Sequence, residues 1–251
     1  MKITAVIPAY NEQESIAELS HRLQASVCSL HIDVDIYFVI QGDFAAVTEL
    51  EELNKREAPE VRWSYFPEPL GVGPAFGYGF QRIAPDCTHV LTMDADLNHQ
   101  PEELSKFVTC MDADGADIVV GSRYIPGGTM EGMPFWKFGL SRLVNGFFSY
   151  TTALKIRDKT SGYRLMKRAV IDAVGTNTVS RGFEFYLEFL LHAFKAGFGI
   201  CEVPIIYKPR LAGVSKMRKP ETLIHYVGVL WRTHFVRSGE PHGRGFSRRL
   251  S

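Results

Sequence analysis

The chain opens on a short β-branched apolar run, Ile3 to Ile7, closed by Pro8, and the period of its apolar positions then changes. A run of that length and branching predicts a buried strand. From Ser15 to Val27 apolar residues recur at helical spacing, and Asn11, Glu12 and Glu14 ahead of them supply a capping residue and an acidic first turn. The alternation continues with a predicted strand from Val34 to Ile40, a helix around Val47 to Arg56, and a strand from Val61 to Phe66. A glycine-rich passage from Leu70 to Phe80 follows, then a strand from His89 to Met93, a helix from Pro101 to Met111 and a strand from Asp117 to Arg123. Strands separated by helices at this spacing predict an α/β fold with a mainly parallel central sheet and helices on both faces. With no internal repeat or low-complexity linker, one domain accounts for the chain.

The second half changes character. From Pro134 to Ile156 apolar residues surround the helical wheel, as in a helix that is buried or touches lipid. The stretch from Thr222 to Val236 mixes Leu223, Tyr226, Val229 and Trp231 with His225, Arg232 and His234; it is too short and polar to span a bilayer but could lie in its interface.

Composition narrows the function classes. Of 251 residues, 45% are hydrophobic, enough for a sizeable core, and 28 basic side chains balance 28 acidic ones. A net charge of zero gives no general affinity for nucleic acid, although the ten basic residues from Lys208 onward face only Glu221 and Glu240. That arm suits phosphates or an anionic membrane surface. Cys28, Cys87, Cys110 and Cys201 are widely spread and read as reduced thiols of a cytosolic protein. The N-terminus lacks a signal-peptide pattern, and no apolar run reaches the roughly 18 residues of a membrane span.

The chemistry concentrates at Thr92-Met93-Asp94-Ala95-Asp96-Leu97-Asn98-His99-Gln100-Pro101-Glu102. Asp94 and Asp96 follow a predicted strand, where side chains two apart point the same way. With the Asn98 amide they offer hard oxygen ligands to Mg²⁺ or Mn²⁺, ions that complete their shells with substrate phosphates. An Asp-x-Asp pair is by itself a common chance pattern. Its position adds weight, because the carboxyl ends of strands are where open α/β sheets bind ligands. The glycine-rich passage lacks the lysine of a phosphate loop and the full dinucleotide fingerprint, and reads instead as tight helix packing.

Five stretches carry a resemblance in order: Val6-Ile7-Pro8-Ala9-Tyr10-Asn11-Glu12; the Asp-x-Asp stretch through Glu102; Gly121-Ser122-Arg123-Tyr124 with Gly127-Gly128; Thr160-Ser161-Gly162-Tyr163-Arg164; and Glu202-Val203-Pro204-Ile205 followed by Arg210 and Gly213-Val214-Ser215-Lys216. Over about residues 3 to 217 the chain resembles the dolichyl-phosphate mannose synthases, inverting glycosyltransferases of the GT-A fold that load a sugar onto a polyisoprenyl phosphate. The resemblance implies a GT-A domain over 1–217, with a nucleotide-sugar half (1–112) and an acceptor half (113–217), and a basic amphipathic helix and tail over 218–251. It implies that Pro8, Tyr10, Glu12, Ile40, Asp94, Ala95, Asp96, Arg210 and Lys216 line the nucleotide sugar. Asp94, Asp96 and Asn98 would hold Mg²⁺ or Mn²⁺, while Arg123, Lys137 and Ser141 would meet the acceptor phosphate. Asp94, Asp96 and Arg123 would carry catalysis. The implied partners are a nucleotide-diphosphate sugar, a polyisoprenyl phosphate, and a membrane surface or small membrane subunit, with the protein peripheral on the cytoplasmic side.

One stretch departs from the family. Where an Asp-Asp turn is expected to read the base, the chain has Ile40-Gln41-Gly42-Asp43-Phe44, leaving guanine and uracil both open. Two other functions compete with the resemblance: transfer to a hydroxyl of a glycan or protein, and a degenerate, non-catalytic lipid-phosphate-binding homologue.

Overall fold

A computed structural model of the chain describes residues 1–56, 61–132, 145, 146, 148, 152–175, 177–208, 226, 228, 229, 231 and 232. The predicted first strand is longer than expected: β1 (Lys2–Tyr10) runs through Pro8 and pairs with β2 (Asp33–Gln41) along its whole length. On its other side β1 pairs with β4 (His89–Thr92) only from Ile3 to Val6. Past Val6 that side carries no ladder, which leaves room for a residue without an N–H. Between these strands lie α1 (Ile16–Ser29), α2 (Ala45–Arg56), β3 (Arg62–Phe66) and α3 (Val72–Phe80).

The glycine-rich passage is α3, and its packing explains its composition. A Cβ at Gly79 would stand 2.3 Å from Val6 Cγ1, and one at Gly73 1.9 Å from the Ser180 carbonyl, so α3 lies against its neighbours closer than any side chain allows. After β4 a 3-10 turn (Pro101–Glu103) leads into α4 (Leu104–Asp114), which ends on Gly115 in the left-handed region, and then β5 (Ile118–Ser122).

The elements that follow were not expected from the alternation: β6 (Thr129–Met130), β7 (Arg164–Lys167), α5 (Arg168–Val174), α6 (Phe185–Lys195), β8 (Ile200–Pro204) and β9 (Ile206–Tyr207). The main sheet has the order β3-β2-β1-β4-β7-β5-β8 and is parallel except for β7, inserted antiparallel between β4 and β5. A small parallel pair, β6 with β9, stands beside it.

One core cluster packs Ile3, Ile7, Phe38, Ile40 and Leu91 of the sheet under Leu19, Leu23 and Phe107. The other face packs Val6, Val90 and Val120 under Phe76, Phe80, Phe185 and Phe189. Phe76 stacks on Phe185 with ring centroids 5.2 Å apart, fastening α3 to α6. Each such buried ring contributes roughly 1.5–3 kcal/mol.

The predicted helix from Pro134 lies mostly outside the described residues; Leu154 and Ile156, at its end, are buried but not helical. In the stretch from Thr222, Tyr226 and Val229 are core, whereas Trp231 is 66% exposed. Among the described residues no helix is long and apolar enough to cross a membrane. Cys110 of α4 and Cys201 of β8 lie side by side, with Cα atoms 7.6 Å apart, wider than a disulfide spans, while Cys28 and Cys87 stand apart from them. The partners are 91 residues apart, and only the packing of α4 on β8 brings them together.

Candidate active site

The strand order reverses between β1 and β4: β2 continues on one side and β7 on the other. At such a switch point the loops leave the sheet in opposite directions and open a crevice. The loop from Asp94 to Gln100 sits at the carboxyl end of β4, at this crevice, with Leu97 at φ 59 turning the chain sharply.

Asp94 is held on two sides. The Tyr186 hydroxyl of α6 donates to its Oδ1 at 2.9 Å, and its backbone N–H donates to His99 Nδ1 at 3.2 Å. That bond requires an unprotonated Nδ1, and burial pushes His99 down to about 4, so its ring is neutral. Burial first, and the charge of Asp94 after it, push Tyr186 well above the usual tyrosine range, so it stays a phenol. Gly162 lies alongside; a Cβ there would come within 3.0 Å of Asp94 Oδ1 and 2.8 Å of the Tyr186 hydroxyl.

Asp96 is 5% exposed and accepts from the Asn98 backbone N–H at 3.1 Å and from Asn98 Nδ2 at 2.8 Å. Nδ2 also donates to the Tyr207 hydroxyl at 2.6 Å. Asn98 Oδ1 is buried and, among the described residues, lacks a hydrogen-bond partner. A desolvated amide oxygen left unpaired is costly. Beside two carboxylates, it is also the donor type that Mg²⁺ or Mn²⁺ selects, and Asp94, Asp96 and Asn98 together fit such an ion. Ala95 between them is buried, its carbonyl taken by Ser15 Oγ at 2.6 Å.

The β5 side of the crevice is built differently. Arg123 Nε and Nη2 grip Asp158 at 2.6 and 2.8 Å, and Nη2 also reaches Thr160 Oγ1 at 2.9 Å. Burial opposes both charges, yet each holds the other ionised, with Asp158 below the usual carboxylate range and Arg123 above its own. The Glu202 carboxylate accepts from the backbone N–H groups of Arg157 and Asp158 at 2.8 and 2.9 Å, fixing the turn that presents Asp158. Buried Arg164 donates to the carbonyls of Ser161, Lys159 and Tyr186, tying the turn to α6; burial lowers its pKa to about 10.

At the β1–β2 side, Pro8 is half-buried and Tyr10 is 37% exposed at the strand end, with Glu12 half-buried in the following turn. Ile40 is a correction: it faces the α1 side at 0% exposure, so its side chain is core and cannot line a ligand. Arg123, expected at the acceptor phosphate, has its guanidinium committed to Asp158 and Thr160. Lys137, Ser141, Arg210 and Lys216 lie outside the described residues.

A profile of Glycosyl transferase family 2 matches residues 4–175. The chain belongs to glycosyl transferase family 2. Among curated relatives of this glycosyltransferase, polyprenol monophosphomannose synthase of Mycolicibacterium smegmatis is 34% identical over 215 residues, covering 84% of this chain and 79% of the relative. Dolichol-phosphate mannosyltransferase of Pyrococcus furiosus is 28% identical over 234 residues, 92% of this chain but 63% of the relative. Among solved structures, glucosyl-3-phosphoglycerate synthase of Mycobacterium tuberculosis with phosphoglyceric acid superposes with a TM-score of 0.67 at 15% identity, covering 94% of this chain and 81% of that one. The same enzyme with Mn²⁺, uridine diphosphate and phosphoglyceric acid gives 0.66 at 15% identity, covering 94% and 80%. That likeness establishes the GT-A fold expected from the sequence.

Sequence reasoning missed Tyr186, Asp158 and Tyr207, and gave His99 no role. Asp158 sits just past the apolar stretch that ends at Ile156, between Arg157 and Lys159, with no local pattern to single it out. Tyr186 belongs to an apolar helix with nothing local to mark it.

Proposed function

We propose that this glycosyltransferase moves a hexose, mannose by preference, from a nucleotide-diphosphate sugar to a polyisoprenyl phosphate, with inversion at the anomeric carbon. The observation that carries the reading is the Asp94–Asp96–Asn98 cluster at the sheet's switch point, with a buried amide oxygen left unpaired among the described residues. The names of the relatives support the sugar and the acceptor. In this reading residues 1–112 take the donor and 113–217 the acceptor.

A phosphate monoester has its second pKa near ~6, so the acceptor is already an anion at neutral pH and needs no strong general base. Its oxygen forms the bond to the anomeric carbon as the bond to the nucleoside diphosphate breaks, and the electron pair leaves with the diphosphate. Mg²⁺ or Mn²⁺ on Asp94, Asp96 and Asn98, when bound, supplies the positive charge that stabilises that leaving group. Tyr186 and His99 keep Asp94 oriented, and Asn98 does the same for Asp96. Pro8, Tyr10 and Glu12 line the nucleoside. Arg123 acts as a positioning residue through Asp158, while Lys137 and Ser141 meet the acceptor phosphate and Arg210 and Lys216 the donor phosphates. The lipid places the protein at the cytosolic face of a membrane, or on a small membrane subunit, as a peripheral protein.

The test is incubation with a panel of GDP- and UDP-sugars, Mn²⁺ and a short polyprenyl phosphate, followed by mass analysis of the lipid. A hexosyl-phosphoryl lipid is expected. Transfer to free sugars without any lipid phosphate would replace this reading with a hydroxyl acceptor.

A further inference from the structure

A second group of ligand-type side chains comes together at the end of the sheet opposite the crevice. Cys201 is the second residue of β8 and pairs in register with Val119, near the amino end of β5, whereas the crevice opens at the carboxyl ends of the strands. Asp114 closes α4 and Cys110 lies one turn before it, so the two share a helix face. The Cys110 thiol donates to Asp114 Oδ2 at 3.4 Å. Cys110 Sγ, Cys201 Sγ and an Asp114 carboxylate oxygen all lie within 4.8 Å of one another, with both cysteines half-buried and the aspartate exposed.

Two thiols and a carboxylate are a different donor set from the oxygens of Asp94, Asp96 and Asn98. Sulfur selects Zn²⁺ and other soft or borderline ions, where oxygen alone suits Mg²⁺ or Mn²⁺. The spacing agrees. The Cα atoms of Cys110 and Cys201 are 7.6 Å apart, too far for a direct sulfur–sulfur bond. With Zn–S bonds of about 2.3 Å, the two thiolates of a tetrahedral site stand about 3.8 Å apart, against about 2 Å in a disulfide, which suits a wider backbone separation. Charge points the same way. α4 places Asp112 and Asp114 at the negative end of its dipole, with no basic residue in its last turn. Lys167 reaches the Gly115 carbonyl at 3.3 Å, but its charge is paired with Asp117 at 2.9 Å.

We propose that Cys110, Asp114 and Cys201 form a zinc site, separate from the crevice, with water in the fourth position of a tetrahedral shell. The cysteines bind as thiolates, their protons going to solvent, and Asp114 binds as a carboxylate. The ion clasps β8, the edge strand of the main sheet, to α4. The other end of this pair is already joined: Glu103 accepts from the Ile206 N–H at 3.1 Å, and Lys106 donates to the Pro204 carbonyl at 3.0 Å. Zinc holds the end that those bonds do not reach. It takes no part in sugar transfer.

Calorimetric titration of the reduced full chain with Zn²⁺, in buffer holding excess Mg²⁺, tests this without turnover. One equivalent should bind with a dissociation constant of about 1 μM or tighter. Co²⁺ in its place should give the near-ultraviolet absorption of a metal thiolate. Cys110→Ser and Cys201→Ser should each weaken Zn²⁺ binding by about a hundredfold or more and remove that absorption. Asp114→Asn, at an exposed position, should weaken it by about tenfold. Zn²⁺ should raise the denaturant midpoint of the wild-type protein and leave that of Cys201→Ser unmoved. Absence of binding, or equal binding by the wild type and both serine variants, overturns the site. So does a count of two thiols rather than all four in protein prepared without reductant and unfolded in chelator, which would make the pair a disulfide.

Discussion

The carboxylates at the end of β4 and the one beside β5 differ in the groups that surround them. Asp158, fully buried, lies opposite Arg123 in a bidentate pair, the arginine side chain being 12% exposed. Its charge is neutralised within the fold, and the pair fixes a turn. Asp94 and Asp96 receive hydrogen bonds from a phenol, an amide and a backbone N–H. Such donors orient a carboxylate without a proton changing hands. Two acidic motifs of one crevice are thus indistinguishable by residue type and differ in their surroundings: one is closed by a guanidinium, the other meets a phenol, an amide and a backbone N–H, and the proposed function gives the second its chemistry.

The sharpest challenge to this comparison is removal of each acid in turn. Asp158→Ala leaves Arg123 buried without its partner and should destabilise the protein by about 3–5 kcal/mol, read as a lowered denaturant midpoint. Asp96→Ala takes the acceptor from two Asn98 donors and should cost about 1–3 kcal/mol of stability, less than Asp158→Ala, while transfer falls by about 10²–10³ in a sugar-transfer assay. If the two variants exchanged these signatures, the division of labour would be the reverse of the one described. Tyr186→Phe removes one hydrogen bond to a carboxylate and should lower the transfer rate by about tenfold, with little change in stability. A drop in stability that matched the loss in rate would make Tyr186 a core residue only.

The smallest effect is a pH dependence. His99 titrates near 4 in the fold against an ordinary value of 6.5. Between those values the unfolded chain binds the extra proton, so stability is full above about pH 6.5 and falls as the pH drops toward 4. His99→Gln should flatten that part of the stability curve measured by urea titration. Glu188 adds a second, more acidic loss: burial raises its pKa, but hydrogen bonds from His192, Ser180 and Val179 outweigh it and hold the group at about 2. Its contribution should disappear between 4.5 and 2.

Local signals carried the first half of the chain. Apolar period separated strands from helices as far as β5, and the Asp94–Asn98 spacing pointed to the strand end that lies at the sheet's switch point, because both depend on residues within a few positions of one another. The glycine-rich passage was also legible as close packing, since only glycine admits Val6 and the Ser180 carbonyl at the distances found. Tertiary structure decided what depends on distant partners. Asp158 became an interior ion-pair acid through Arg123, 35 residues away, and Tyr186 reached Asp94 across 92. Ile40 turned into the core while Gln41, one residue on, faced the other way, because a strand alternates its sides and only the sheet's two covering layers say which side is which. Residue types and short spacings determine which chemistry is available; the pairing of remote groups in a low-dielectric interior determines which charges are neutralised inside the fold.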